Sequence, residues 1–449
     1  MSEDGLNRRA ALRFAAGVGI TAASGGLGTI AYADRGDETD DAELVTTWLE
    51  TVLGLVQRTP GYSPPVASRV FGYVGVTMYE ALWPAWRDHQ SLAGQLDGLR
   101  RPPAGRGHSR SVAWPLVANH AVAGIVRHLF PDAAPMERQM IDDVQRELSR
   151  RLGRFCSEPL RRRSRERAGG VVAEIAEWSR SDGGHHAHRR NVPPDYLPPV
   201  GPGLWEPTPP AFGGALQPTW GRNRPFVPGI VDPALVEPPH PYSELPGSPF
   251  HSEAVEVYDT VNRLTDEQRA IAAFWSDDPG ATATPPGHSV SILVQALRAT
   301  DTGLRRAADV AVRLGVALSD AFICCWETKY RYNVLRPITY VRRQIDPNWG
   351  DPLPLVTPPF PEYTSGHSVQ SGAAATVLTE RLGELALTDR THEPRGLPLR
   401  DFTSFWEAAE EAAISRVYGG IHYRRAIEQG LAQGVRIGDA ANQLRLRRH

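Results

Sequence analysis

The chain has 449 residues, of which 41% are hydrophobic and 22% charged, with a formal net charge of −2 and a pI near 6.7. That is long enough to bury a large core without staples, and no global basic field suits it to nucleic acid or an anionic membrane. Cys156 and the adjacent Cys324 and Cys325 form neither a disulfide framework nor a zinc pattern, so they are expected as buried thiols.

Residues 1–33 read as a twin-arginine-type signal peptide. Arg8-Arg9 precede an apolar run from Phe14 to Tyr32, diluted by Gly, Ser and Thr, that ends in the small-x-small pattern Ala31-Tyr32-Ala33. A membrane anchor is the alternative, because the run approaches spanning length. Its glycines and cleavage-like end favour export, hence a secreted or otherwise extracytoplasmic protein with no stable membrane span after processing.

Residues 40–180 form an N-terminal helical part. Leu44, Val45, Trp48, Leu49, Val52, Leu53 and Val56 recur on one helical face, and Thr59-Pro60-Gly61 breaks it. Pro64-Pro65 open a second helix to about Leu82, followed by helices over Ser111–Phe130, Pro135–Leu152 and Glu158–Ser179. The arginines from Arg161 to Arg167 read as a solvated helix face rather than a phosphate site.

From 181 to 249 periodicity vanishes into a Pro- and Gly-rich stretch. Trp205, Phe212, Trp220 and Phe226 are too many rings for a disordered linker, so an ordered loop pinned over the helices is expected, walling a pocket. The histidines His185, His186 and His188 at its start could ligate a metal, but a solvated loop is favoured.

Residues 250–444 resume helical patterning. One helix covers His251–Leu264, and a second starts at Thr265, a cap candidate without a capping box because Glu267 falls one residue short. Pro285-Pro286-Gly287-His288-Ser289 opens another, with His288 read as structural or rim. A long helix then runs from Asp301-Thr302 to about Leu335, ended by Pro337, and would set Lys329 and Arg336 on one face. No stretch alternates long enough for a sheet, so the fold class is all-α, a helical bundle core carrying a long Pro/Gly-rich loop segment.

The stretch TPPFPEYTSGHSVQSGAAA, Thr357 to Ala375, carries the sharpest chemistry. Its prolines hold it extended, and a helix begins near Ser365 whose unpaired first-turn amides suit an anion. Ser365 adds a hydroxyl, Gly366 allows close approach of a ligand to the backbone, and His367 stands beside whatever binds. Further on, Ser415-Arg416-Val417-Tyr418-Gly419-Gly420-Ile421-His422 breaks a helix at its glycines, letting Arg416 and His422 point to one place.

Together these segments read K-x6-R-P (Lys329, Arg336, Pro337), T-S-G-H (Thr364 to His367) and S-R-x5-H (Ser415, Arg416, His422). This resembles the joint signature of the vanadium-dependent haloperoxidases and the type 2 phosphatidic acid phosphatases, with the bacterial haloperoxidase branch closest. The resemblance covers about Asp301 to Asn442, and departs at Thr364, where the family usually has proline. It implies vanadate as cofactor, with phosphate able to enter the same cradle, and hydrogen peroxide, halide and a small organic acceptor as partners. Lys329, Arg336, Ser365, Gly366 and Arg416 would hold the oxyanion. His422 would be the protein ligand to the metal, His367 the acid–base group, and Lys329 would polarise bound peroxide. Phe360 matches a position that is Phe in chloride-oxidising relatives, and Asp278 would orient Arg416 by a salt bridge or lie on the surface. The alternative activity is a phosphatase in which His422 becomes the phosphohistidine.

Overall fold

Prolines open most of the helices, which is how a proline-rich chain folds as an all-helical one. In the computed structural model, which describes residues 38–102, 112–231, 236–350 and 353–448, α1 spans Glu38–Arg58 and α2 Pro64–Leu82. Then come α3 (Trp114–Leu129), α4 (Pro135–Leu152), α5 (Glu158–Arg180), α6 (Pro249–Asn262), α7 (Asp266–Phe274) and α8 (Thr284–Ala299). The remainder are α9 (Leu304–Tyr332), α10 (Pro337–Gln344), α11 (Gly366–Leu382), α12 (Phe405–Tyr418) and α13 (Arg424–Asn442). Proline stands in the first turn of α2 to α6, α8 and α10, where its missing N–H costs nothing. The expected signal peptide at 1–33 lies outside the described residues. Among them, no helix is long and apolar enough to cross a membrane.

The long helix α9 is the axis of the core. Nearly every side chain from Ala307 to Lys329 is buried, because α1, α2, α11 and α13 all pack on it. The α11–α13 crossing is close enough that a Cβ on Gly434 would collide with the Val369 carbonyl. That crossing fixes the start of α11, where the Ser365 amide donates to the Ala426 carbonyl at 3.0 Å.

The described residues of 181–249 are held over the helices by several of the expected rings. Trp205, Trp220 and Phe226 are buried. Asp320 on α9 anchors the segment by accepting the amides of Phe226 at 2.7 Å and Val227 at 2.9 Å. Phe212 departs from the expectation and is 63% exposed. The three histidines, all half-buried, are packed by other rings: His185 stacks on His128 with His186 tilted against it, and His188 stacks on Tyr62 and bonds Asp132. Arg162 and Arg165 pair with Glu166 and Glu158 on an exposed helix face, as expected.

Four local expectations need correction. Thr265 does form a capping box, with Gln268 three residues on, whose side chain returns to the Thr265 amide. The long helix stops at Tyr332 because Asn333 takes a left-handed conformation, φ 47°. Arg336 therefore shares no helix with Lys329, and Pro337 starts α10 instead of ending α9, with Arg336 at its N-cap. Finally, β1 (Leu387–Asp389) pairs antiparallel with β2 (Arg400–Phe402), a hairpin too short to show alternation.

Candidate functional site

The extended stretch before α11 owes its placement to two buried cations. Pro358, Pro359 and Pro361 leave its carbonyls without helical partners. The Lys329 ammonium donates to those of Pro361 and Glu362, both at 2.9 Å, and of Thr364 at 2.5 Å. All three of its donors are thereby taken up. Burial pushes its pKa down to about 7. Arg336 gives Nε to the Phe360 carbonyl at 2.9 Å and Nη1 to the Ile421 carbonyl at 2.8 Å, while its Nη2 is buried without a partner. The Phe360 ring lies against both cations, 5.1 Å from the Lys329 nitrogen and 4.9 Å from the Arg336 guanidinium carbon.

His422 is fixed from both ends of its ring. Gly419 caps α12, and Gly420 at φ 75° turns the chain so that His422 faces the stretch before α11. Nδ1 lies 2.7 Å from Glu362 Oε1, which also accepts the Tyr423 amide at 3.0 Å, and Nε2 faces Arg336 Nη1 at 3.2 Å. Glu362 Oε1, already an acceptor for the Tyr423 amide, at Nδ1 and a guanidinium donor at Nε2 together assign the proton to Nδ1 and a lone pair to Nε2. Burial, then Arg336 and Lys329, hold His422 well below its ordinary pKa, so the ring is neutral. Burial raises Glu362 to about 8, against the pull of Arg336 and Lys329. Sequence reasoning does not single out Glu362. The signal available was an acid three residues before Ser365, inside TPPFPEYTSGHS.

The other half is built on α11 and α12. Ser365 caps α11, its hydroxyl oxygen accepting the Ser368 amide at 3.4 Å. A Cβ on Gly366 would make only ordinary contact, 3.7 Å from Trp326, so no protein atom demands glycine here. His367 is partly buried, its Nε2 is buried without a partner, and desolvation followed by Arg416 drives its pKa well below the ordinary value. Arg416 gives Nη2 to the Trp275 carbonyl at 2.6 Å and Nε to the Ser415 hydroxyl at 2.9 Å. The expected salt bridge from Asp278 is not among its contacts. Asp278 acts on Arg416 through space only, as does Asp277.

A cavity of about 450 Å³ opens over these residues. Gly366, His367, Arg416 and His422 line it, together with Asp277, Asp278, Trp326 and Phe360, and the 181–249 loop supplies Thr208, Pro210, Gly213 and Leu216. Lys329, Arg336 and Ser365 stand fully buried outside that lining. The donor set fits a tetrahedral oxyanion. Three cations gather there, none in a salt bridge to Glu362, Asp277 or Asp278, and Arg336 Nη2 and His367 Nε2 are buried polar atoms that the protein itself leaves unsatisfied.

Comparison with known proteins follows the same residues. Residues 309–448 match the model of the second helical-bundle domain of vanadium chloroperoxidase. A crystal structure of a bacterial vanadium-dependent iodoperoxidase superposes with a TM-score of 0.80 at 37% identity, covering 90% of this chain and 96% of that one. A holo-type bacterial vanadium-dependent chloroperoxidase shares the fold, with a TM-score of 0.62 at 19% identity, over 87% of this chain and 93% of that one. The vanadium chloroperoxidase of Curvularia inaequalis is 26% identical over 159 residues, an alignment spanning 24% of this chain and 26% of that protein.

Proposed function

The chain belongs to the vanadium-dependent haloperoxidases, and we propose that it oxidises halide with hydrogen peroxide at a vanadate held by His422. The observation that carries this is the pairing of a neutral, Glu362-fixed His422 with unsatisfied nitrogens on Arg336 and His367. Vanadate bound there supplies a Lewis acid that activates peroxide without changing oxidation state. The chain does the rest. His422 offers the Nε2 lone pair, and Arg336 and Arg416 offset the oxyanion charge as fork-like donors. Ser365 and the Gly366 amide complete the cradle at the N-terminus of α11. His367 holds and returns the proton at Nε2. Lys329 supports the stretch through three carbonyls, and polarises peroxide by exchanging one of them.

Iodide is the halide we assign. The 37%-identical structure acts on iodide, while Phe360 points by resemblance to chloride, and iodide is the most easily oxidised of the series. A small organic acceptor takes the oxidised halogen in the cavity. We further propose that residues 1–33 direct twin-arginine export to an extracytoplasmic location, since Arg8-Arg9 and Ala31-Tyr32-Ala33 have that arrangement. Replacing both arginines by lysine is expected to block export.

Reconstitution with vanadate tests the activity. Metal analysis should give one vanadium per chain, and peroxide consumption should depend on iodide. Phosphomonoester turnover on the order of 10 per second by the apo-protein, with no halide oxidation after loading, would overturn the reading in favour of a phosphatase.

A further inference from the structure

Behind the His367 half of the cavity lies a cluster of charges that the proposed reaction does not use. His288, on α8, sits between two carboxylates, with Nδ1 2.8 Å from Asp277 Oδ2 and Nε2 2.6 Å from Asp389 Oδ2. His392 completes the group, its Nε2 3.2 Å from Asp277 Oδ1 but off the line of a hydrogen bond. The side chains of His288, Asp277 and His392 are each 1% exposed, and that of Asp389 is 0% exposed. Such charges persist in an interior only when paired or metal-bound.

The distances choose between those two. A ring that donates from both nitrogens to two carboxylates is an imidazolium. Two ligands on one zinc-like ion, each about 2.0–2.1 Å from it, stand more than about 3 Å apart, wider than either His288 contact. Burial opposes the charge on His288, yet Asp277 and Asp389 outweigh it and raise its pKa to about 10.

The cluster reaches the cavity at two points. Asp277 lines the cavity beside His367. The His288 ring also stacks under Trp275, centroids 4.4 Å apart at 19°. The carbonyl of Trp275 receives Arg416, and its indole N–H donates to Glu411 at 2.9 Å. The segment from Trp275 to Asp278 is thus held from below by one imidazolium and presents its upper side to the oxyanion cradle.

Building on the vanadate-site reading, we propose that His288, clamped between Asp277 and Asp389, is a positioning residue that fixes Arg416 for oxyanion binding through the Trp275 carbonyl. It touches neither oxyanion nor peroxide. Removing it frees the corner that gives Arg416 its acceptor, and the guanidinium loses its fixed direction.

A double-mutant cycle on vanadate affinity, measured by calorimetry on the full chain, tests this, because a residue acting through Arg416 loses its effect when Arg416 is changed. His288→Gln is expected to weaken vanadate binding about tenfold in the wild-type background and less than twofold in Arg416→Lys. Asp389→Asn, which leaves the ring in place with one carboxylate, should show the same pattern at about threefold, and serves if His288→Gln fails to fold. Equal losses in both backgrounds, or no loss in a folded variant, overturn the proposal. So does a stoichiometric divalent ion in purified wild-type protein that is lost in His288→Gln, which would make the cluster a metal site. If wild-type protein binds no vanadate, the oxyanion reading itself fails and takes this proposal with it.

Discussion

The two histidines that face the cavity, His422 buried and His367 partly so, are both held neutral, yet their rings are used differently. His422 has both nitrogens engaged, one by Glu362 and one by Arg336, so its tautomer and direction are set. His367 has Nε2 unpartnered, and Arg416, Asp277 and the Trp275 carbonyl act on it. A ring held at Nδ1 by Glu362 suits a metal–ligand bond at Nε2, once Arg336 turns from that nitrogen to the oxyanion, because the geometry of such a bond tolerates little wander. A ring with one free nitrogen suits proton transfer, in which the partner changes during the reaction. The two halves are also supported by different means. Backbone carbonyls on Lys329 and Arg336 hold the His422 side, and buried charges around His288 hold the His367 side.

Replacing each histidine is the strongest way to break this comparison. His422→Ala is expected to abolish vanadate binding in calorimetry and peroxide consumption together. His367→Ala should retain bound vanadate while peroxide consumption falls about 10²–10⁴-fold, the usual cost of losing a general acid–base group. Loss of vanadate in both variants would show that the division of roles is wrong. A smaller effect is expected from Glu362→Gln, which keeps an acceptor for His422 but replaces the carboxyl group by an amide. Its vanadate affinity should drop about 10–100-fold, as for other groups that orient a metal-bound histidine. An unchanged affinity would mean that Arg336 alone orients the ring.

Much of this site could be read from the sequence, for reasons that differ by residue. Ser365, Gly366 and His367 were legible because a proline-held strand running into a breaker-free helix defines a helix N-terminus locally. Arg416 and His422 were legible because Gly419-Gly420 marks the turn between them. The relation of Lys329 to Arg336 was misread. Left-handed Asn333 ends α9 four residues after Lys329, and no apolar periodicity announces an asparagine C-cap. Glu362 and the His288 cluster were invisible for another reason. Glu362 meets His422 across 60 residues and His288 meets Asp389 across 101, contacts fixed by the tertiary packing of α8, α11 and α12. The helices themselves were legible nearly throughout, since amphipathic periodicity and leading prolines are local signals.

The same packing supplies a stability prediction. A Cβ at Gly434 would run into the Val369 carbonyl in the α11–α13 crossing. Gly434→Ala should therefore destabilise by about 1–3 kcal/mol in denaturant melts, the cost of overpacking, even though Ala is the better helix former. A stabilised variant would mean that the crossing can open without strain.

The smallest effect expected is a pH slope, and it isolates the charge support of the His367 half. The folded protein holds His288 at about 10, above the 6.5 of a free histidine. Its contribution is therefore complete below about pH 6.5 and is lost as pH rises through about 10, because the unfolded chain gives up the proton first. Lys329 works in the opposite sense. Held at about 7 against an ordinary 10.5, it makes the folded state gain stability over much of the same range. The slope of the wild-type protein mixes the two, so the informative quantity is its difference from a variant that changes only the cluster. Asp389→Asn removes one of the two carboxylates that sustain the imidazolium and leaves Lys329 untouched. Between pH 6.5 and 9.5 the wild-type melting temperature should fall by about 2 °C more than that of the variant, the shift that about 1 kcal/mol gives in a large domain. Parallel slopes would mean that His288 is neutral, and that its contacts with Asp277 and Asp389 are shared with a protonated carboxyl instead.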